Sequence, residues 1–294
     1  MAGAADLRPL RFTVVMPCRD AAATLGTQLE ALARQRVHGD WEVLVADNGS
    51  TDASRDVAQR FAGRLPGLRV VDAAARSGPA HARNAGAAAA RGAALVFCDA
   101  DDEVADGFLE AMAGGIERHG FVAARFELAR LNPPRFVKPH PQETGLNPYT
   151  YPPFLPHAGG AGLGVRRDLH DLVGGFDETL EALEDTDYCW RIQLAGTALV
   201  SLPEAVVHVR LPARLGATFR QMLRYGEHNV LLYTRYRGRG MPRLGPGPGL
   251  LRWARLVLTM PSLLTARRRA AWISQLGWRL GRLKGCLRYR STAL

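Results

Sequence analysis

Cysteine is scarce and scattered in this chain: Cys18, Cys98, Cys189 and Cys286 lie far apart, and none stands in a CxxC pair. That spacing argues against a structural zinc site and for reduced thiols. Long apolar runs are missing as well. No stretch approaches the ~20 apolar residues of a membrane-spanning helix, and the opening MAGAADLRPLRF lacks the apolar core of a secretory signal. These absences lead to the expectation of a cytoplasmic protein. Acidic residues, finally, almost vanish from one region. From Leu211 to Leu294, 17 Lys and Arg accompany a single acid, Glu227, for a net +16. Residues 1–210 carry 21 basic and 27 acidic residues, a net −6. An acidic, cation-binding part joined to a basic part that meets an anionic surface would produce this asymmetry.

What is present reads as a globular enzyme-sized chain. Its 294 residues allow one large domain, or one domain and an appendage, and 47% apolar with 22% charged residues is ordinary for a soluble fold. Short apolar runs at Phe12–Met16, Val43–Ala46, Leu68–Val71 and Ala93–Cys98 alternate with helical patterns near 22–36, 52–63 and 79–91. Runs of this length bounded by turn residues predict buried parallel strands, and repeated βα units predict helices on both faces of one sheet. Ligands in such sheets sit at the carboxyl ends of the strands. Eight prolines within 131–156 predict a loop or extended connector. A strand at Ala161–Val165, a helix over Glu184–Leu194, and strand-like runs at 198–201 and 205–210 follow. Beyond Leu211 the pattern is helical and basic, broken by GPGPG at Gly245–Gly249.

The strongest chemical signal is Asp99-Ala100-Asp101-Asp102 at the end of an apolar run. Carboxylates this close repel one another unless a cation lies among them, and a hard divalent ion suits an all-oxygen set. The competing reading makes Asp101 to Asp106 the acidic lead-in to a helix at Gly107–Ile116, favourable to its dipole. A glycine-rich run, Gly159 to Gly164, lacks the spacing and following helix of a dinucleotide loop. It predicts a strand whose missing side chains admit an acceptor.

Other motifs lie at the remaining strand ends: Pro17-Cys18-Arg19-Asp20, Asp47-Asn48-Gly49-Ser50-Thr51-Asp52, Gly78 to Asn84, Gly174-Gly175-Phe176-Asp177-Glu178, and Glu184-Asp185-Thr186-Asp187 through Arg191. Taken in order with the Asp99–Asp102 cluster, these segments resemble the family 2 glycosyltransferases. The resemblance implies a GT-A fold, an α/β Rossmann-like, mostly parallel sheet with helices on both faces, over residues 10–210. Its nucleotide-binding half would cover about 10–130 and its acceptor half about 155–210. It further implies inverting transfer from a nucleotide-diphosphate sugar, a UDP-sugar by preference, with Mg²⁺ or Mn²⁺. On the donor side it implies Pro17 and Arg19 in the nucleotide pocket and Asp47 accepting from a uracil-type base. Arg83 would contact base or diphosphate, Asp99 and Asp101 would hold the ribose and the metal, and Ala100 would belong to the donor-binding residues. Asp99, Asp101 and His208 would hold the metal, Asp101 most directly. Asp185 would be the catalytic base. Arg19-Asp20 stand where the family commonly has Tyr-Asn, and Ala46 replaces the first acid of its Asp pair.

Two of these roles have bland counterparts. A lone His on an apolar strand, such as His208, is often structural, and Glu184 to Asp187 could simply form an acidic first helical turn. The acceptor would be a glycan, lipid-linked or small-molecule hydroxyl. The basic region 211–294 interleaves Arg252, Arg255, Arg267, Arg279 and Lys284 with Trp253, Trp272, Trp278 and several leucines. It reads equally as an amphipathic segment for an anionic membrane face, the inner one for a cytoplasmic protein, or as a helical unit packed on the core. A nucleic-acid role lacks a reader motif. The rivals are a nucleotidyltransferase, and a membrane-surface binding protein whose site has decayed.

Overall fold

A computed structural model describes residues 10–291 apart from 135, 136, 138, 139, 151, 213, 245, 246 and 261–265. Its first half follows the apolar runs. β1 (Phe12–Cys18), β2 (Trp41–Asp47), β3 (Arg69–Asp72) and β4 (Ala94–Phe97) pair in parallel in the order β3-β2-β1-β4. β1, β2 and β4 are buried almost throughout, as strands covered on both faces must be. The crossovers carry α1 (Leu25–Ala33), α2 (Ser54–Gln59) and α3 (Pro79–Ala89). Pro79 opens α3, where its missing N–H costs nothing. Gly86 lets α3 settle on β1: a Cβ there would meet Val15 Cγ1 at 2.4 Å.

Beyond β4 the sheet departs from a purely parallel plan. β5 (Glu103–Val104), α4 (Phe108–His119), β6 (Phe121–Glu127), β9 (Leu163–Arg166), α5 (Arg167–Leu172), α6 (Glu184–Leu194) and β10 (Val200–His208) complete it, in the order β4-β9-β6-β10-β5. β9 runs antiparallel to both β4 and β6, β10 is parallel to β6, and β5 is antiparallel to β10. β6 and α5 have no counterpart in the sequence reading. The two runs expected at 198–201 and 205–210 form one strand whose register shifts between Leu202 and Val206. Within the proline-rich connector, a 3₁₀ turn at Pro141–Glu143 precedes a hairpin of β7 (Asn147–Thr150) and β8 (Pro153–His157). Proline tolerates such a two-stranded ribbon because both strands are edges.

The basic region packs more than its charge suggests. α7 (Leu215–Tyr236) and α9 (Ala266–Arg288) run side by side in the same direction. Gly226 on α7 and Gly277, Gly281 and Gly285 on α9 bring the backbones together: a Cβ at Gly281 would lie 2.1 Å from Leu223 O. Glu227 is buried and meets Lys284 and Arg288, each at 2.8 Å. α7 also anchors to the sheet domain, where Trp190 is enclosed edge-on by Tyr149, Phe154 and Tyr236 at 4.7–5.0 Å and donates to Leu155 O. Of the two readings of 211–294, α7 and α9 follow the packed one. α8 (Gly247–Leu258) is the exception, with much of its surface exposed. Among the described residues no helix is long and apolar enough to cross a membrane.

Candidate active site

A cleft of about 1180 Å³ opens at the carboxyl ends of β1 and β4. Pro17 and Arg19 enter it from the end of β1, Arg83 from α3, Asp99 to Asp102 from the turn after β4, Gly160 from the approach to β9, and Asp185 from α6. Five segments distant in sequence converge there.

Asp99, Asp101 and Asp102 can each present a carboxylate oxygen within 4.8 Å of the others. Asp102 is buried and accepts from Arg210 N at 2.8 Å. Burial, then the charges of Asp99 and Asp101, push its carboxyl up to about 8. Asp101, although its side chain reaches solvent, is raised as well, by desolvation among the cleft walls and then by Asp99. Asp101 and Asp102 are thus destabilised as bare anions, and the all-carboxylate set they form with Asp99 fits a hard divalent cation. The helix-cap reading does not account for them. β5 intervenes, α4 begins at Phe108, and its N-cap is Gly107 in a left-handed conformation with no side chain capping it.

His208 is not brought into this group. Its Nδ1 contacts Glu127 Oε2 at 2.7 Å, and among the described residues the third carboxylate is Asp102. The family resemblance put it there; in the sheet, His208 of β10 stands in register with Glu127 of β6, which takes its ring.

The centre of the cleft is organised by Arg83. Its guanidinium donates through Nη2 to Asp99 Oδ1 and through Nη1 to Glu184 Oε1, both at 2.9 Å, with 4% of the residue exposed. Burial opposes its charge, but Asp99, Glu184 and Asp185 outweigh that and hold the guanidinium protonated. Its carbon lies 5.4 Å above the Phe176 ring. Arg83 thus links the two acidic walls of the cleft. Gly160 leaves room for it, since a Cβ there would meet Nη2 at 2.6 Å. This is the reason for glycine at that position, rather than approach of an acceptor along a strand: β9 begins only at Leu163.

Of the three acids at the start of α6, Asp187 is taken up by Arg191 and Tyr236, and Glu184 by Arg83. Asp185 is held by main-chain donors, Thr186 N at 2.7 Å and Gly160 N at 3.1 Å. Burial raises its pKa, while Arg83 and these N–H groups work against the rise. Leu183 before it sits at φ 60°, an uncommon conformation for a branched residue, which sets the angle at which α6 enters the cleft.

The nucleotide side differs from expectation at one position. Asp47 is 1% exposed, bound to Arg55 Nε at 2.6 Å, and not among the residues lining the cleft. Its neighbour Asn48 lines it, accepting from Gly78 N at 2.9 Å and donating to Arg76 O at 2.7 Å. Asp20, at φ 47°, accepts from Thr51 N at 2.8 Å and so ties the end of β1 to the turn after β2. Arg19 donates to Ser77 Oγ, and Ala100 is buried at the cleft wall. Sequence reasoning also missed Gln221, Arg224 and Tyr225 of α7, which line the cleft beside Asp185. No local signal marks them, because they lie within the basic region.

Comparison with known proteins agrees with this geometry. The Glycosyl transferase family 2 model matches residues 13–173, more than half of the chain, and the Glycosyl transferase family group 2 model matches 149–280. The chain belongs to glycosyl transferase family 2. It is 29% identical over 276 residues to the pre-mycofactocin glycosyltransferase of Mycobacterium tuberculosis, covering 87% of this chain and 56% of that one. This family 2 chain thus spans little more than half the length of the first curated relatives it matches. The uncharacterized glycosyltransferase YwdF of Bacillus subtilis is 27% identical, over 62% of this chain and 68% of that one. Among solved structures, mannosyltransferase PcManGT from Pyrobaculum calidifontis, in complex with GDP-Man and Mn²⁺, superposes with a TM-score of 0.66 at 19% identity, covering 98% and 91% of the two chains. S. aureus TarS 1–349 with UDP-GlcNAc gives 0.56 at 17%, covering 95% and 92%. The fold is GT-A. Neither the nucleotidyltransferase nor the decayed-site alternative finds support in these likenesses.

Proposed function

We propose that this family 2 protein transfers a sugar, with inversion, from a nucleotide-diphosphate sugar of the uridine type to an acceptor hydroxyl, and that it does so with Mg²⁺ or Mn²⁺. The observation that carries the reading is the Arg83 bridge. It joins Asp99 of the acidic turn to Glu184, the neighbour of Asp185, across a single cleft.

Asp99, Asp101 and Asp102 would hold the cation, which when bound offsets the charge growing on the departing diphosphate. Asp185 would accept the proton of the acceptor hydroxyl as that oxygen bonds to the anomeric carbon. The bond from that carbon to the diphosphate oxygen breaks on the opposite face, and no enzyme nucleophile is needed. A carboxylate raised by burial, yet kept ionisable by nearby N–H donors and Arg83, suits such a base. Pro17, Arg19 and the wall at Ala100 would flank the nucleotide, with Asn48 beside it and Asp47 one layer behind. Gln221, Arg224 and Tyr225 would face an acceptor that is a glycan, a lipid-linked sugar or a small molecule. Ligands named for PcManGT and TarS support a nucleotide-sugar donor and, for the former, Mn²⁺.

The test is release of nucleoside diphosphate from UDP-glucose, UDP-N-acetylglucosamine and GDP-mannose, with Mn²⁺ or with EDTA. Release that needs the cation and is greatest with a UDP-sugar supports the reading. No release from any donor sinks it, and equal release in EDTA removes the metal. The anomeric configuration of the product, read by NMR, decides inversion.

A further inference from the structure

The helix α8 presents to solvent the residues a globular protein normally hides. Leu251 is 73% exposed, Val257 66%, Leu258 79%, and Met260, two residues past the helix, 57%. At about 100° per residue, Val257, Ala254, Leu258, Leu251 and Arg255 fall in succession around one side of α8. All five are exposed. The opposite side is the one that packs: Leu256 is buried, and Trp272 Nε1 of α9 donates to its carbonyl at 2.9 Å. α8 is thus seated on α9 by its inner face and carries an apolar outer face with a cation at its edge.

Charge says what fits there. After Glu227 the chain contains no Asp or Glu up to Leu294, while 14 Lys and Arg follow. Arg268 is exposed at the start of α9, shortly after α8 in the chain. An anionic partner meets no carboxylate in this segment, and an apolar one finds leucines that are largely exposed. An exposed apolar face with Arg255 at its edge, in an acid-free segment, is complementary to the headgroup boundary of an anionic bilayer, where leucines enter the acyl region and arginines meet phosphate.

We infer that the outer face of α8 docks on an anionic lipid surface, lying in the interface without spanning it. This holds whether or not the cleft transfers sugars, so its failure leaves the enzymatic reading untouched.

The full chain is sedimented with vesicles of phosphatidylcholine alone or containing phosphatidylglycerol. Binding to the anionic vesicles that weakens with salt is expected. Leu251→Glu/Leu258→Glu should weaken it by about tenfold or more, as two leucines leave the interface. Because these side chains are exposed, the melting temperature should stay within a degree or two of the parent's. Arg255→Glu, a second variant that leaves the leucines in place, should also weaken binding. Absence of binding to anionic vesicles overturns the inference. So does binding indifferent to the leucine substitutions, which would mean charge alone. A dimer in solution that those substitutions dissolve also overturns it, because the face would then belong to a second copy.

Discussion

The main chain at Gly160 lies against the guanidinium of Arg83: a Cβ there would fall 2.6 Å from Nη2 and 2.7 Å from Cζ. Because Arg83 is buried and held by Asp99 and Glu184, it has nowhere to move without dragging one of them. Gly160 N also donates to Asp185. Gly160→Ala is therefore expected to displace the acidic walls by about 1 Å, the shift that restores ordinary contact distance. Transfer should fall by about 100-fold, the scale of a small misplacement of reacting groups. The melting temperature should drop far less than for a core truncation. Kinetics alongside a thermal melt checks this; near-parental kcat/KM would mean Arg83 does not position the site.

Asp185→Asn keeps shape and removes the proposed base. The expected loss in kcat is about 10² to 10⁴-fold, the usual contribution of a positioned proton acceptor. Donor affinity, measured by calorimetry with UDP and Mn²⁺, should stay within a few-fold of the parent. Turnover close to normal would assign the base elsewhere.

The acidic turn and His208 make opposite predictions. If the three neighbouring carboxylates hold the cation as proposed, Asp101→Ala should abolish the extra thermal stabilisation that Mn²⁺ adds to UDP. His208→Gln should leave that Mn²⁺-dependent shift intact, its ring being occupied with Glu127. Loss of the shift in the His208 variant would return it to the metal.

Acid should weaken the fold through a buried histidine. His170 is 6% exposed with Nδ1 at 2.8 Å from the Tyr188 hydroxyl, and burial pulls its pKa down from 6.5 to about 4. Between those values the unfolded chain binds a proton that the native state refuses. Its contribution is thus intact above about pH 6.5 and lost as pH falls towards 4. From pH 7 to pH 5 this one group should cost about 2 kcal/mol of stability. His157, also lowered to about 4 by burial, acts in the same direction. Denaturant midpoints at the two pH values for the parent and for His170→Gln measure it: the variant should show a flatter pH dependence.

Local pattern carried much of the fold. Buried runs announced β1, β2 and β4 because a strand covered on both faces needs apolar residues in succession, and that is visible within five or six positions; β3, at the sheet edge, is more exposed. Glu184–Leu194 was legible as a helix at both ends. The clustering of Asp99, Asp101 and Asp102 is a matter of adjacency, so the sequence alone pointed to an acidic centre. β6 was passed over because Phe121–Glu127 follows α4 with only Gly120 between, and the antiparallel direction of β9 is set by pairing with β4 and β6, not by composition.

Partners decided the rest. Arg83 lies 101 positions from Glu184 and 16 from Asp99, and nothing near it in sequence says that it bridges them. Asp47 turns to Arg55, His208 turns to Glu127, and α7 delivers Tyr225 to the cleft wall from within a segment that reads as mere positive charge. Composition and periodicity determine which residues are buried or strung along an element. Which charged group neutralises which is settled by distances of about 3 Å, and only the folded chain brings such groups that close.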